Sequence, residues 1–431
     1  MDSPPPSLIC PHLVELATRF QAWFTGRDME SHWICDACAK AFPTPPELVP
    51  IPSGDFLQRL KGQRPRDPHG FVGKPGIRQR EAGLRMNSER FPFPFEESLV
   101  TPWLDIQPDL TTQGQWFLLL RSGAIATFHP REQRLRILFR LDPGFIPDDE
   151  TALHVDATGG YGAVCQCDAS LAWVFDLRSG AVTKQINRGD YYPEHCRFPL
   201  AFFTDPSGRP LLAAATAWNI LEIIDPSDGN ILTSRAFEKG DAESERTALD
   251  YFHSTLSVSP GNRWIADYGW FWHPIGGVRT WNLLDWLERN PWESETGPSV
   301  GSTADRTYFW DGPMCWVDDT TLAVWGWGDD DLQLLSAVGF YDVASREELR
   351  WFPGPEARRT DSNERKHLPP SLFFDGYLFS AHDEHGLAVW DIADGARLLH
   401  QPSLTPQHYH PGSKEFISIS GETVTLSRLT K

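Results

Sequence analysis

Four stretches of the chain share one plan, and that plan limits the folds open to it. "AWVFDLRSGAV" (172–182), "LEIIDPSDGNIL" (221–232), "VGFYDVASREEL" (338–349) and "LAVWDIADGARLL" (387–399) each run as an apolar strand into an Asp, turn tightly, and start a second strand. "VRTWNLLDWLE" (278–288) fits with Asn for Asp, "AIATFHPREQRLRILF" (124–139) fits more loosely, and "TVTLSRL" (423–429) is a truncated copy. Counted from Ile125, the copies follow at spacings of about 47, 49, 57, 60, 49 and 36 residues, which marks a repeat architecture. A second turn before another apolar strand precedes most of them, as in "TDPSGRPLLAAAT", "VSPGNRWIADYG", "VDDTTLAVWGWG", "FFDGYLFSAH" and "HPGSKEFISIS".

Each unit therefore reads strand a, tight turn, strand b, loop, strand c, tight turn, strand d. One such sheet cannot bury both of its faces, so the units stack radially and share a core. The expected fold is all-β: a seven-bladed β-propeller over residues 97–431. The high counts of Pro (36), Gly (34) and Trp (18) suit many short strands with half-buried aromatic seats. The last unit lacks a strand d, and an unclosed ring exposes an edge. The segment "ESLVTPWLDI" (97–106) is expected to supply the missing strand.

Trp390-Asp391, with Tyr341-Asp342, Phe175-Asp176 and Ile224-Asp225 as degenerate forms, resembles the signature of the WD-repeat propellers. That family also places a His before strand a and an Asp in the b–c turn. Here His253 and His367 precede strand a, and Asp383 lies in a b–c turn. The resemblance covers residues 97–431.

The front of the chain differs. Residues 1–45 combine helical spacing (Leu13, Leu16, Ala17, Phe20, Trp23, Phe24, ended by Gly26) with Cys10, His12, Cys35 and Cys38. Cys-x-His plus Cys-x-x-Cys offers four ligands suited to tetrahedral zinc. His32 is the substitute if His12 does not ligate. A segment of about 40 residues has too little core to fold unaided, so a structural zinc is expected in a small helical zinc-knuckle module. "CPHL…HWICDAC" also resembles part of the ubiquitin-binding zinc fingers. Those fingers are longer and carry further Cys and His, so ubiquitin recognition does not carry over. Residues 46–96 read as an extended Pro/Gly-rich linker.

The net charge is −19, which disfavours broad nucleic-acid binding. Between Asp55 and Arg90, however, nine Lys/Arg face four Asp/Glu, a local +5 against −24 for the rest, so this stretch suits docking on an acidic surface. No apolar run is long enough for a membrane span, and no secretory leader is visible. With an odd cysteine count, these features lead to a cytoplasmic expectation.

The b–c and d–a loops emerge on one face of a propeller, and here they are rich in aromatics, His and Asp. The candidate partner-binding residues are Tyr191, Tyr192, Trp218, Tyr251, Trp270, Trp272, His273, Trp310, Trp325, Trp327 and His382. Aromatic anchors with charged neighbours supply contact area and orientation for a protein or peptide partner. For any single ring the alternative is packing between blades. No phosphate loop, EF-hand or G-x-S-x-G elbow is present, so the expected function is a non-catalytic scaffold or adaptor. The competing reading is a hydrolase or lyase using His195, His253, His273, His382 and His385 at the channel mouth, with or without a metal. Cys165, Cys167, Cys196 and Cys315 read as core or loop residues.

Overall fold

The computed structural model describes residues 76–94, 103–141, 144–145, 147–235, 250–271, 275–307, 309–328, 334–359 and 367–431, together with the backbone of four short strands before residue 51. The chain divides into two compact units, Met1–Gly76 and Ile77–Lys431.

In the first unit the four strands form one sheet, in the order Arg27–Met29, His32–Ile34, Leu8–Ile9, Val49–Pro50. Leu8–Ile9 runs parallel to His32–Ile34 and antiparallel to Val49–Pro50. The expected helix and the residues Cys10, His12, Cys35 and Cys38 lie outside the described residues.

The second unit is a seven-bladed β-propeller. Blade one holds Trp103–Pro108, Trp116–Leu120, Ala124–His129 and Arg134–Arg140 as strands a to d. Blades two, four, five and six follow the same antiparallel order over 151–187, 251–307, 314–353 and 371–401. Blade three has three full strands, and a bridge between Ile224 and Ile231 stands in for its fourth. First strands of neighbouring blades touch from one to two, two to three, three to four, four to five, five to six and seven to one, so they line the axis. The core lies between blades: Phe117, Leu119, Leu153 and Phe175 fill the wedge between one and two, and Leu221, Ile223, Ile265 and Trp281 that between three and four.

The Asp that ends or follows strand c in blades two, three, five and six has a local job. Asp176 Oδ1 accepts hydrogen bonds from the Arg178 and Ser179 backbone amides at 2.9 and 2.7 Å. Asp225 does the same for Ser227, and Asp391 for Ala393. This is Asx-turn chemistry. The turn closes at Gly180, Gly229 and Gly395, all with φ near +70°. Those glycines also lie against strand d of the preceding blade. A Cβ at Gly180 would meet Phe139 at 2.6 Å, one at Gly229 the Thr183 carbonyl oxygen at 2.6 Å, and one at Gly395 would run into Phe352. Blade five reverses the arrangement. Its turn carries Arg346 at φ +65°, and the facing residue of blade four is Gly301, whose added Cβ would run into the Arg346 side chain. Small and large have changed places across the same junction.

Two expectations are corrected. "VRTWNLLDWLE" does not turn directly into strand d. The Asn282 side chain accepts from the Leu284 and Asp285 amides at 3.0 Å each and caps a helix, Leu283–Glu288, so strand d waits until Gly301–Thr307. Ring closure also differs. Trp103–Pro108 is strand a of blade one, and the strand that completes blade seven is Arg85–Pro92, paired antiparallel with Thr423–Thr430. It lies inside the stretch read as linker. Upstream of it, Arg78 and Arg80 pair with Asp394, and Arg80 also with Asp391, so these two arginines of the basic stretch are tied to the acidic turn of blade six.

Candidate functional site

The sheet order puts the d–a connections and the b–c connections at the same end of every blade. The d–a connection from blade two to three, 188–199, is clamped from inside. Arg188 is 4% exposed, and its guanidinium donates to the carbonyl oxygens of Ala169, Pro193, Cys196 and Arg197 at 2.7–3.1 Å. Burial lowers the pKa of that guanidinium, and the four carbonyls are what hold it there. The clamped loop presents Tyr191 and Tyr192, 44% and 42% exposed. Tyr192 has φ +50°, an αL conformation that is uncommon for a bulky side chain and marks a site to inspect.

From Tyr191 a column of rings runs across the face. Tyr191 stacks on Phe252 at 5.7 Å and 11°, Phe252 on Trp270 at 4.7 Å and 26°, and Trp270 on Trp310 at 5.2 Å and 20°. Trp218, from the b–c turn of blade three, leans on both Tyr191 and Phe252 at 5.0 and 4.8 Å. His195 lies 5.6 Å from Tyr192 and 5.9 Å from Trp270. The far end is tied back to the clamped loop. Trp310 Nε1 donates to the His195 carbonyl oxygen at 2.6 Å, and the Arg197 amide donates to Asp311 Oδ2 at 3.2 Å. Asp311 also accepts from the hydroxyls of Ser254 and Thr255. Arg188, Tyr191, Pro193, Trp218 and Phe252 line a shallow depression at the tyrosine end.

The column thus joins Tyr191, Tyr192, Trp218, Trp270 and Trp310 of the residues expected at the site. Others lie elsewhere. Tyr251 is wholly buried; its hydroxyl accepts from the Gly269 amide at 2.8 Å, so it presents nothing to a partner. Trp325 is also wholly buried, with its indole N–H on the Pro355 carbonyl oxygen at 2.9 Å. Trp327 stacks on Trp351 of its own blade at 4.3 Å. The His382 ring orders its own turn: Nδ1 accepts from the Glu384 amide at 3.0 Å and Nε2 donates to the Leu368 carbonyl oxygen at 3.1 Å. Trp272 and His273 lie outside the described residues. The site also takes in Phe252, Arg188 and Asp311, which the loop composition does not single out. Phe252 neighbours Tyr251 in "DYFHS", and strand alternation makes one of the pair face inward without saying which.

Two clusters bear on catalysis. In blade four, His253 Nδ1 lies 2.6 Å from Asp267 Oδ2, both side chains wholly buried. His253 Nε2 has no hydrogen-bond partner among the described residues and no path to substrate at zero exposure. On the inner strands of blades seven and one, His408 Nε2 lies 3.8 Å from Asp105 Oδ1, and in blade two His154 Nε2, on the inner strand, lies 3.8 Å from Cys165 Sγ on the next strand. Burial lowers both histidine pKa values. Asp105 accepts from the Ile106 and Leu153 amides at 2.7 Å each, so its carboxylate works as a tie between blades one and two. Among the described residues no group of three or more His, Cys, Asp or Glu side chains is placed to hold a metal ion. No helix among them is long and apolar enough to cross a membrane. Compared with known proteins, the chain matches no family model and no curated relative.

Proposed function

We propose that the protein is a non-catalytic scaffold that docks a protein or peptide partner on the face formed by its d–a and b–c connections, and that it works in the cytoplasm. One observation carries this reading: two exposed tyrosines, at the head of a continuous aromatic column, are held on a loop clamped by a buried arginine. Rings fixed in this way lose little conformational freedom on binding, which favours their use as anchors. The test is capture from the native host on the immobilised full chain. The same protein should be retained by wild type and lost with the Tyr191→Ala/Trp218→Ala double variant. Retention by wild type and double variant alike would sink the loop-face reading.

WD-repeat membership is part of the proposal. It is supported by the Trp390 indole N–H donating to Ser380 Oγ at 2.9 Å beside the Asp391 turn. For the first unit we propose a structural zinc on Cys10, His12, Cys35 and Cys38. Strands Leu8–Ile9 and His32–Ile34 pair in parallel, and each leads directly into a cysteine of the set. Elemental analysis should give one zinc per chain, and none after Cys35→Ser/Cys38→Ser.

A further inference from the structure

The face that carries the column is acidic. Asp190 and Glu194, both exposed, flank the two tyrosines, and exposed Asp250 precedes the strand that carries Phe252. On the same face, the d–a connection from blade one to two carries exposed Asp148, Asp149 and Glu150, with Arg121 paired to Asp149. Arg197 is exposed on the opposing side of the balance. Arg188 lies beneath the surface, with its donors spent on four carbonyl oxygens.

An anionic partner is repelled by such a rim. A large apolar side chain finds only a shallow depression at the tyrosine end. A cation meets two attractions that act together. Carboxylates raise its local concentration at long range, and the negative faces of Tyr and Trp rings hold it at short range. We infer that the occupant is a basic segment of a protein partner, with an arginine or lysine side chain laid against the Tyr191–Trp218 end of the column. This inference rests on the scaffold reading above and specifies its partner.

The probe is a fluorescein-labelled peptide, Gly-Gly-Arg-Gly-Arg-Gly-Gly, with a twin in which citrulline replaces arginine. Fluorescence anisotropy with the full chain at low salt measures both. The arginine peptide should bind at least tenfold more tightly than its neutral twin. The Tyr191→Ala/Trp218→Ala variant, whose charge is unchanged, should weaken it at least fivefold. Leu349→Ser, on an exposed position of blade five, serves as the comparison and should leave binding within twofold. Far-UV circular dichroism and urea midpoints confirm that each variant is folded. In the wild type, tryptophan emission should also change on adding the arginine peptide and not the twin.

Equal binding of the two peptides to wild type overturns the cationic inference. If the aromatic variant then loses both, peptide docking on this face still stands. Equal binding of the arginine peptide to wild type and aromatic variant shows mere attraction to an acidic protein and overturns both readings. Absence of binding by the arginine peptide overturns the inference.

Discussion

Arg188 and Tyr192 make opposite contributions to the same loop, and substitution separates them. Arg188→Ala leaves four buried carbonyl oxygens without their donor, and the expected loss is about 3 kcal/mol of stability. It should appear as a lower urea midpoint with an unchanged slope. Tyr192→Gly relieves a left-handed conformation that costs a non-glycine residue about 1 kcal/mol. The midpoint should hold or rise while partner capture falls. A fall in both would mean the ring is there for stability. At this scale the sequence was half legible. Aromatic residues in loops announce themselves, because a Trp or Tyr between turn signals has no strand face to fill. Which rings meet is a different matter. Tyr191 and Phe252 stack across 61 residues of sequence, from the blade-two-to-three connection to a strand of blade four. Arg188 gave no signal at all, since a lone Arg after a strand usually faces water.

At the level of the element, the turn after strand c was the most readable feature, because its chemistry is local. An Asp accepts the amides two and three residues on, and a left-handed residue closes the turn. The packing against the preceding blade was not readable, yet it sets the cost of change. Gly395→Ala meets both a φ of +69° and the Phe352 ring, whereas Gly421→Ala, at φ +56°, has nothing within 4 Å. The first should cost about 3 kcal/mol, from strain plus overpacking, and the second about 1 kcal/mol, from strain alone. Similar thermal shifts for the two would show that the neighbouring blade yields freely. The helix after Asn282 is hidden in the sequence for a related reason. Asn at the end of a strand serves equally as a turn former or a helix cap, and only the fold chooses.

For the whole molecule, the decisive junction is between blades seven and one. Strand Arg85–Pro92 was hidden in the sequence because outer strands face solvent. "RMNSERFP" has no apolar alternation, and its pairing is written in backbone hydrogen bonds. A chain starting at residue 77 should keep a cooperative urea transition. One starting at residue 97 leaves Thr423–Thr430 as a bare edge and should aggregate or lose that transition. The junction is also pinned by charge. Glu415, 2% exposed, receives Arg131 at 2.6 Å and Arg428 at 3.1 Å. Burial pushes its carboxyl up, but the Arg131 hydrogen bonds and charge outweigh that and hold it below the ordinary value. Its folded pKa is depressed, so its contribution is present above about pH 4.5 and disappears as pH falls through the lower, folded value. Glu415→Gln should cost about 2 kcal/mol at neutral pH, and the gap to wild type should close on acidification. A gap that persists at low pH would assign the effect to packing.

The same closure sets an order of events in the cell. Ser88 leaves the ribosome early and meets Ser427, 339 residues behind it in the chain. At ordinary elongation rates that wait is on the order of 20–70 s. Until then the nascent polypeptide carries an unmatched outer strand and no finished circle. Every premature stop between residues 92 and 423 therefore yields a product whose Arg85–Pro92 strand was made for a partner that never arrives.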